Sequence, residues 1–158
     1  MEKLKEIVNI LDSKKQTIST MESCTGGAFV NEITNIEGSS NILKFSAITY
    51  SNEYKIKMGV SKDVIEKYTV YSKEVSLEMA KAITRFTDSD YGIGITGKLN
   101  RIDENNLFGN DNEVFYTIFD KNNDKCYCYN CFVNNDKRVD NKNDVVMDIV
   151  NSLYKILK

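Results

Sequence analysis

Residues 17–27, TISTMESCTGG, decide the fold, because they form a predicted strand that ends at a polar turn with two glycines. Thr17–Met21 consists of residues that favour strands, and apolar residues from Ala28 to Ile33 then recur at helical spacing. A strand followed directly by a helix is the repeating unit of α/β proteins. The sequence therefore predicts an α/β fold with this turn at the end of its first strand.

The alternation of helices and strands continues on both sides of this unit. Predicted helices precede it at Leu4–Leu11 and follow it at Ala28 to about Gly38, from Ser51, from Ser72 and over Val145–Leu153. The further predicted strands are Leu43–Tyr50, Tyr91–Thr96, Val114–Phe119 and Lys125–Val133. We expect residues 1–158 to form one domain, a three-layer α/β/α sandwich with a mixed, largely parallel sheet and an antiparallel hairpin near the C-terminus.

The charge balance of the chain bears on its partners. The 158 residues include 21 basic and 23 acidic side chains, which gives a formal net charge of -2. This balance favours neither a nucleic acid nor an anionic membrane as partner. Met1–Glu6 alternates charged and apolar residues and lacks the apolar run of a signal peptide or membrane span. We therefore expect a cytoplasmic protein with no nucleic-acid or membrane partner.

The sequence contains no histidine, and this restricts its chemistry. A Ser-His-Asp triad, a Cys-His pair and a His-containing metal site are all excluded. A serine nucleophile then needs another base, and a lysine held neutral is the known substitute. The segment 49–55, TYSNEYK, lies at the second strand-to-helix junction and offers Lys55, with Tyr50 to orient its amine or relay a proton.

Lys55 can act as a base only if the folded protein buries it. Lowering a lysine pKa from about 10.4 to about 7 requires roughly 4.6 kcal/mol of preference for the neutral form. Burial can supply that preference, whereas an exposed position cannot. The hypothesis therefore requires Lys55 to be buried near Ser23. The alternative is a solvated helix residue, because lysines are rarely buried.

The turn at residues 22–27, ESCTGG, is the other candidate site. The first amides of a helix lack partners within the helix, so they can stabilise an oxyanion or a phosphate. The alternative is a tight turn whose Ser and Thr side chains cap the helix. Cys24 is a rival nucleophile, since a helix N-terminus can lower a thiol pKa. Glu22 could act as an acid or base, or could simply face the helix dipole.

Five short motifs occur in order between residues 22 and 75. They are ESCTGG at 22–27, GSS at 38–40, TYSNEYK at 49–55, MGV at 58–60 and VYS at 70–72 followed by Glu74-Val75. In this order and spacing they resemble the CinA C-terminal domain family, whose members include nicotinamide-mononucleotide amidohydrolases. The resemblance covers roughly residues 1–97, and the last third is similar only in its strand-strand-helix pattern.

The resemblance implies a three-layer domain, usually dimeric, that hydrolyses the carboxamide of nicotinamide mononucleotide to nicotinate mononucleotide and ammonia. It implies no metal and no cofactor. It places the nucleophile on Ser23 rather than Cys24, the base on Lys55 and an assisting tyrosine on Tyr50. Amides around Thr25 and Gly26 become candidates for the oxyanion hole. The implied substrate-binding residues are Thr25, Gly26, Gly27, Ser39, Asn52, Thr96, Gly97 and Arg138.

The sequence departs from the family after Gly97. Family members continue there with Ala-Gly-Pro, a glycine pair and then Lys-Pro-Val-Gly, whereas residues 98–102 are KLNRI and open a long polar loop to Asn112. Because this loop is expected to shape the substrate pocket, two alternatives stand beside the amidohydrolase. One is an amidase for another small amide, and the other is a non-catalytic CinA-like binding or assembly protein.

A glycine motif at residues 92–98, GIGITGK, matches G-x-G-x-x-G and nearly matches a P-loop. Its glycines alternate with isoleucines inside a predicted strand, and Leu99 stands where a P-loop needs Ser or Thr. We interpret these glycines as positions where a neighbouring element or ligand approaches the strand closely.

Three of the four cysteines, Cys126, Cys128 and Cys131, could offer thiolates to zinc. A structural zinc site needs four ligands, and the chain has no histidine to complete one. The pattern favours a strand with Cys126 and Cys128 on one face and tyrosines on the other.

Overall fold

The computed structural model describes residues 1–158 and contains one five-stranded sheet. The strands are β1 (Ile18–Glu22), β2 (Leu43–Ile48), β3 (Tyr91–Gly97), β4 (Glu113–Asp120) and β5 (Lys125–Phe132). The helices are α1 (Glu2–Ser13), α2 (Ala28–Thr34), α3 (Asn52–Lys57), α4 (Lys62–Tyr68), α5 (Lys73–Thr87) and α6 (Arg138–Leu157), and a 3-10 turn spans Ser39–Asn41.

The sheet order β2-β1-β3-β4-β5 combines parallel and antiparallel pairing. β1 runs parallel to both β2 and β3, so the first three strands end at the same edge of the sheet. β4 is antiparallel to β3 and to β5. The predicted mixed sheet with a C-terminal hairpin is confirmed, and the antiparallel pairing extends one strand further inward, to β3.

Apolar cores lie on both faces of the sheet, which confirms the predicted three layers. On one face, α1, α2 and α6 pack over a large core that contains Ile18, Ile93 and Tyr116 from the sheet. On the other face, α4 and α5 cover a smaller core around Met21 and Ala47.

The helix starts follow the predicted serine caps. Ser51 and Ser72 accept hydrogen bonds from the amides of Tyr54 and Val75, at the start of α3 and α5. Ser61 caps α4 in the same way, a helix that the sequence analysis did not predict. α2 ends at Thr34, earlier than expected.

No helix of the structure combines the length and the apolar character that crossing a membrane requires.

The glycines of β3 let α5 lie directly on the sheet. A Cβ atom on Gly92 would overlap Thr84 and Ala80, and one on Gly94 would overlap the carbonyl oxygen of Ser76 and lie 2.6 Å from the amide nitrogen of Ala80. The glycine motif predicted such a close approach, and the element that approaches β3 is α5 of the same chain.

Replacing Gly94 with alanine tests this packing. Gly94→Ala should lower the free energy of unfolding by about 3 kcal/mol, the upper end for overpacked cores, because the methyl group meets rigid backbone atoms of α5. Urea denaturation measures the change.

Gly38→Ala is the control, since no atom lies within 4 Å of its Cβ position and only the positive φ of 91° is unfavourable. Its cost should be about 1 to 2 kcal/mol. A Gly94 variant no less stable than the Gly38 variant would contradict the packing argument.

Candidate active site

Ser23 lies where β1 ends and the chain turns toward α2. Its neighbour Glu22 is fully buried and accepts hydrogen bonds from the amides of Phe29 and Val30, at 3.2 and 2.9 Å. The Thr25 hydroxyl also donates to Glu22, at 2.5 Å. Glu22 therefore caps the first turn of α2, as its position near the helix dipole allowed. The capped turn holds Ser23 at the carboxyl edge of the parallel strands.

Lys55 reaches Ser23 from the neighbouring strand-to-helix junction. The ladder between β1 and β2 continues past the strand ends, where the Thr49 amide donates to the Glu22 carbonyl at 2.8 Å. Lys55 is 2% exposed, and its Nζ donates to the Thr49 carbonyl at 2.7 Å and to the Ser23 Oγ at 2.9 Å. The serine and the lysine that the histidine-free sequence required to be close are in direct hydrogen-bond contact.

Burial without a carboxylate partner changes the protonation of Lys55. It lowers the pKa of the amine from its ordinary value of 10.5 to about 8, mainly through desolvation, with a small opposing effect from Cys24. A substantial neutral fraction is then present near neutral pH. The amine can accept the Ser23 proton in that form, which is the chemistry of a general base.

Cys24 is a poor nucleophile in this position. Its side chain is buried, and burial raises the pKa of the thiol to about 12. The suggestion that the helix N-terminus would lower this pKa is wrong, because desolvation of the thiolate outweighs the nearby positive charges. Ser23 is the better-placed nucleophile of the two adjacent residues.

A cavity of about 470 Å³ opens beside Ser23, and we call it the Ser23 cavity. It is lined by Ser23, Cys24, Tyr50, Tyr71, Gly97, Lys98, Leu99, Arg101, Ile102, Asp103, Glu104, Asn105 and Arg138. Of the predicted site residues, Ser23, Tyr50, Gly97 and Arg138 therefore share one cavity. Seven of its 13 lining residues belong to the segment 98–105, where the sequence departs from the family pattern.

Tyr50 stands at the wall of the Ser23 cavity, away from the Ser23–Lys55 contact. It is 66% exposed, and its hydroxyl accepts a hydrogen bond from the Arg138 guanidinium at 3.4 Å. It has no hydrogen bond to Ser23 or Lys55. Its geometry suits contact with a bound substrate better than orientation of the amine.

The backbone donors near Ser23 differ in what they already bind. The Gly26 amide donates to the Ser23 carbonyl at 2.9 Å and is occupied. The Cys24 and Thr25 amides donate to no group of the protein. These two amides, rather than that of Gly26, are the candidates for an oxyanion hole.

Six of the predicted substrate-binding residues, Thr25, Gly26, Gly27, Ser39, Asn52 and Thr96, lie outside the Ser23 cavity. Gly26 and Gly27 line a second cavity of about 590 Å³, together with Thr25 and Lys142. Asn52 is exposed at the start of α3. Thr96 is fully buried, and its hydroxyl donates to the Val70 carbonyl at 3.0 Å.

Ser39 also lies outside the Ser23 cavity. It belongs to the turn that leads into the start of β2, and β2 is parallel to β1. Ser39 and Ser23 therefore lie at opposite edges of the sheet, and within one copy of the chain the structure does not bring them together.

The sequence analysis missed Tyr71, Lys98, Arg101 and Asp103, which line the Ser23 cavity. Lys98 is 4% exposed and donates to the Phe108 carbonyl at 3.1 Å and to Asp111 at 3.4 Å. The Tyr71 hydroxyl donates to Asp103. The departure of the loop from the family pattern indicated the segment of Lys98, Arg101 and Asp103 but not their contacts, and Tyr71 lies in the VYS motif at 70–72.

The cysteines of β5 do not converge. Alternation along the strand puts Cys126 and Cys128 on the α5 side and Cys131 on the α6 side. No group of three or more His, Cys, Asp or Glu side chains is placed to hold a metal ion. This follows from the period of a strand, in which successive side chains point to opposite faces.

Comparison with known proteins identifies the family pattern over nearly the whole chain. The model of the CinA C-terminal domain matches residues 1–156. A protein of Clostridium botulinum (strain Langeland), whose name refers to competence-damage induction, is 48% identical over 92 residues, which are 58% of this chain and 22% of that protein. The CinA-like protein of Kosmotoga olearia is 44% identical over 98 residues, which are 61% of this chain and 24% of that protein. The chain spans about a quarter of the length of the curated relatives it matches.

Solved structures show the same fold at low sequence identity. A CinA superfamily protein from Klebsiella pneumoniae has a TM-score of 0.89 and 18% identity, covering 99% of this chain and 96% of that chain. A competence/damage inducible protein from Agrobacterium tumefaciens has a TM-score of 0.83 and 20% identity, with the same coverage.

Replacing Lys55 with methionine tests the cost of burying its amine. Because the pKa is lowered to about 8, the unfolded chain binds more protons at this site between about pH 8 and pH 10.5, and wild-type stability rises with pH through that window. Relative to wild type, the free energy of unfolding of Lys55→Met should be about 2 to 3 kcal/mol more favourable at pH 7 than at pH 10. Urea denaturation at both pH values measures this difference.

Lys57→Met, an exposed lysine on the same helix, is the matched control and should show no such difference. If the stability of Lys55→Met relative to wild type is the same at pH 7 and pH 10, the folded protein does not lower the pKa of the Lys55 amine.

Proposed function

We propose that this chain, which belongs to the CinA C-terminal domain family, hydrolyses the carboxamide of nicotinamide mononucleotide to nicotinate mononucleotide and ammonia. One observation carries the proposal: the buried Lys55 amine lies 2.9 Å from the Ser23 hydroxyl. The reaction would belong to pyridine nucleotide salvage. We include in the proposal the homodimer that the family resemblance implies and the cytoplasmic location that we expect from the sequence.

The first half-reaction forms an acyl-enzyme. Neutral Lys55 accepts the hydroxyl proton while the Ser23 Oγ attacks the carboxamide carbon, and the negative charge moves to the carbonyl oxygen. The free amides of Cys24 and Thr25 are the donors for that oxyanion. Lys55 then gives its proton to the leaving nitrogen, so that ammonia departs and an ester on Ser23 remains.

The second half-reaction restores the enzyme. A water molecule attacks the ester carbon while Lys55 takes one of its protons, and Lys55 returns this proton to the Ser23 Oγ as the acid is released. The Thr49 carbonyl, 2.7 Å from Nζ, holds one N–H of the amine in both protonation states. This contact directs the remaining lone pair of the neutral amine toward Ser23.

The wall of the Ser23 cavity supports a second candidate. Residues 98–105 supply seven of the 13 lining residues and differ from the family pattern, so the chain could bind a different amide or act as a CinA-like binding or assembly protein without catalysis. The intact Ser23–Lys55 contact favours the amidases over the non-catalytic function, because a protein without catalysis has no use for a buried uncompensated amine.

Ammonia release from nicotinamide mononucleotide tests the proposed activity. Ser23→Ala should reduce the rate at least about a thousandfold, because no other nucleophile is placed to form the ester. Cys24→Ala is the matched control and should retain activity within a few-fold, since its thiol stays protonated. Wild-type protein that releases no more ammonia than Ser23→Ala would refute this substrate, and a panel of small amides then separates another amidase from a protein without catalysis.

The pH dependence of the reaction tests the role of Lys55. The reactive form is the neutral amine, so kcat/KM should rise about tenfold per pH unit up to about pH 8 and then level off. Steady-state rates between pH 6 and pH 10 measure this profile. A profile that is flat between pH 6 and pH 8 would exclude Lys55 as the general base.

A further inference from the structure

Arginine is rare in this chain and concentrated at one place. The sequence has three arginines among its 21 basic residues, and two of them, Arg101 and Arg138, line the Ser23 cavity. The third, Arg85 on α5, donates to the Gly59 carbonyl at 3.4 Å and lines none of the cavities described above. The cations that face this cavity are thus of the type that recognises carboxylates and phosphates with two parallel hydrogen bonds.

Neither cavity arginine has an acidic partner within the protein. The Arg101 guanidinium donates only to main-chain carbonyls, and that of Arg138 donates only to the Tyr50 hydroxyl. Asp103 and Glu104 line the same cavity, yet neither forms an ion pair with Arg101 or Arg138. Arg101 and Arg138 therefore line the cavity beside Ser23 without a direct ion-pair partner.

Of the other charged residues of the cavity wall, Glu104 is exposed and forms no ion pair, whereas Lys98 and Asp103 are engaged within the protein. Lys98 pairs with Asp111, and the Asp103 carboxylate accepts hydrogen bonds from the Tyr71 hydroxyl and the Asn105 amide. Arg101 and Arg138 are therefore the cations of the cavity wall whose N–H donors remain free for a ligand.

Arg101 is oriented before any ligand arrives. Nη1 donates to its neighbour Asn100 at 2.6 Å, and Nη2 donates to the Asp136 carbonyl at 2.5 Å, just before α6 begins at Arg138. A guanidinium has five N–H donors, so these two contacts fix its plane and leave three for a ligand. The contact with Asp136 also joins the 98–112 loop to the segment that carries Arg138.

We infer that Arg101, together with Arg138, binds a phosphate or carboxylate group of an amide substrate and thereby determines the specificity of the Ser23 cavity. This inference rests on the proposed function and deepens it. Arg101 belongs to the rewritten loop, so this chain supplies its anion contact from a segment in which the family pattern has no arginine. Amides that carry no anionic group should be poor substrates.

Three amides and four forms of the protein test the inference. The amides are nicotinamide mononucleotide, nicotinamide riboside as its phosphate-free counterpart, and succinamate as a small amide with a carboxylate. The proteins are wild type, Arg101→Met, Arg101→Lys and Arg85→Met. For Arg101→Met we expect kcat/KM on the preferred anionic amide to fall about 10- to 100-fold, mainly through KM, with no change for the riboside. The lysine variant should recover part of the loss, and Arg85→Met should match wild type.

The comparison of substrates separates binding from a structural role. If Arg101 only ties the loop to Asp136, Arg101→Met will lower activity on the riboside as much as on the anionic amides, and this result overturns the inference. Equal wild-type activity on charged and uncharged amides overturns it as well. Preference for the mononucleotide identifies a phosphate ligand, and preference for succinamate identifies a carboxylate.

A binding measurement keeps the inference testable if no amide is hydrolysed. Inorganic phosphate and acetate are titrated into wild type and Arg101→Met by calorimetry, with urea denaturation to show that both proteins are folded. Tighter binding of one anion to wild type, weakened about 10-fold or more in the variant, supports the anion site even where the proposed amidase fails. Equal binding to the two proteins, or none to wild type, overturns it.

Discussion

The Lys55 amine is buried against a serine hydroxyl and a backbone carbonyl, with no carboxylate beside it, and the candidate chemistry depends on this constraint. A carboxylate partner would keep the amine protonated, and exposure would do the same through hydration. Neutral acceptors satisfy its hydrogen bonds without stabilising its charge as an acidic group would. The base that we propose thus needs no histidine, because the site omits a counter-ion for Lys55, at a cost in stability that the rest of the fold must offset.

The fold can bury this amine because the parallel strands β1 and β2 end at the same edge of the sheet. β1 ends at Glu22, directly before Ser23, and the ladder to β2 continues to Thr49, whose carbonyl accepts a hydrogen bond from Lys55. The cap at Ser51 starts α3 soon enough for Lys55, in its first turns, to point back at the strand ends. Ligand sites of α/β proteins commonly lie at this edge, outside the carboxyl ends of the strands.

The sequence predicted the parts of this arrangement that depend on local signals. The strand before Ser23, the glycine turn after it and the serine cap before Lys55 are short-range features, and each is where the pattern placed it. Properties set by long-range packing were not predictable in the same way. The burial that raises the Cys24 pKa comes from α2, α6 and the loop wall, none of which the ESCTGG motif encodes. Ser39 lies in the GSS motif of the family resemblance, but it precedes the start of β2, whereas Thr49 follows the end of that strand.

The Ser23 cavity divides into two parts with different origins. Ser23 and Lys55 lie just after the parallel strands β1 and β2, in the turn after β1 and on α3, whereas the opposite wall comes from the loop between β3 and β4, where the sheet turns antiparallel. The loop is anchored by Lys98, Asp103 and Arg101 to groups outside the Ser23–Lys55 pair. Loops tolerate change better than the elements that they connect. Because no hydrogen bond joins the loop side chains to Lys55, the wall can differ in sequence while Ser23 and Lys55 keep their geometry. Substrate choice in this chain is therefore separable from the machinery that would cleave the amide.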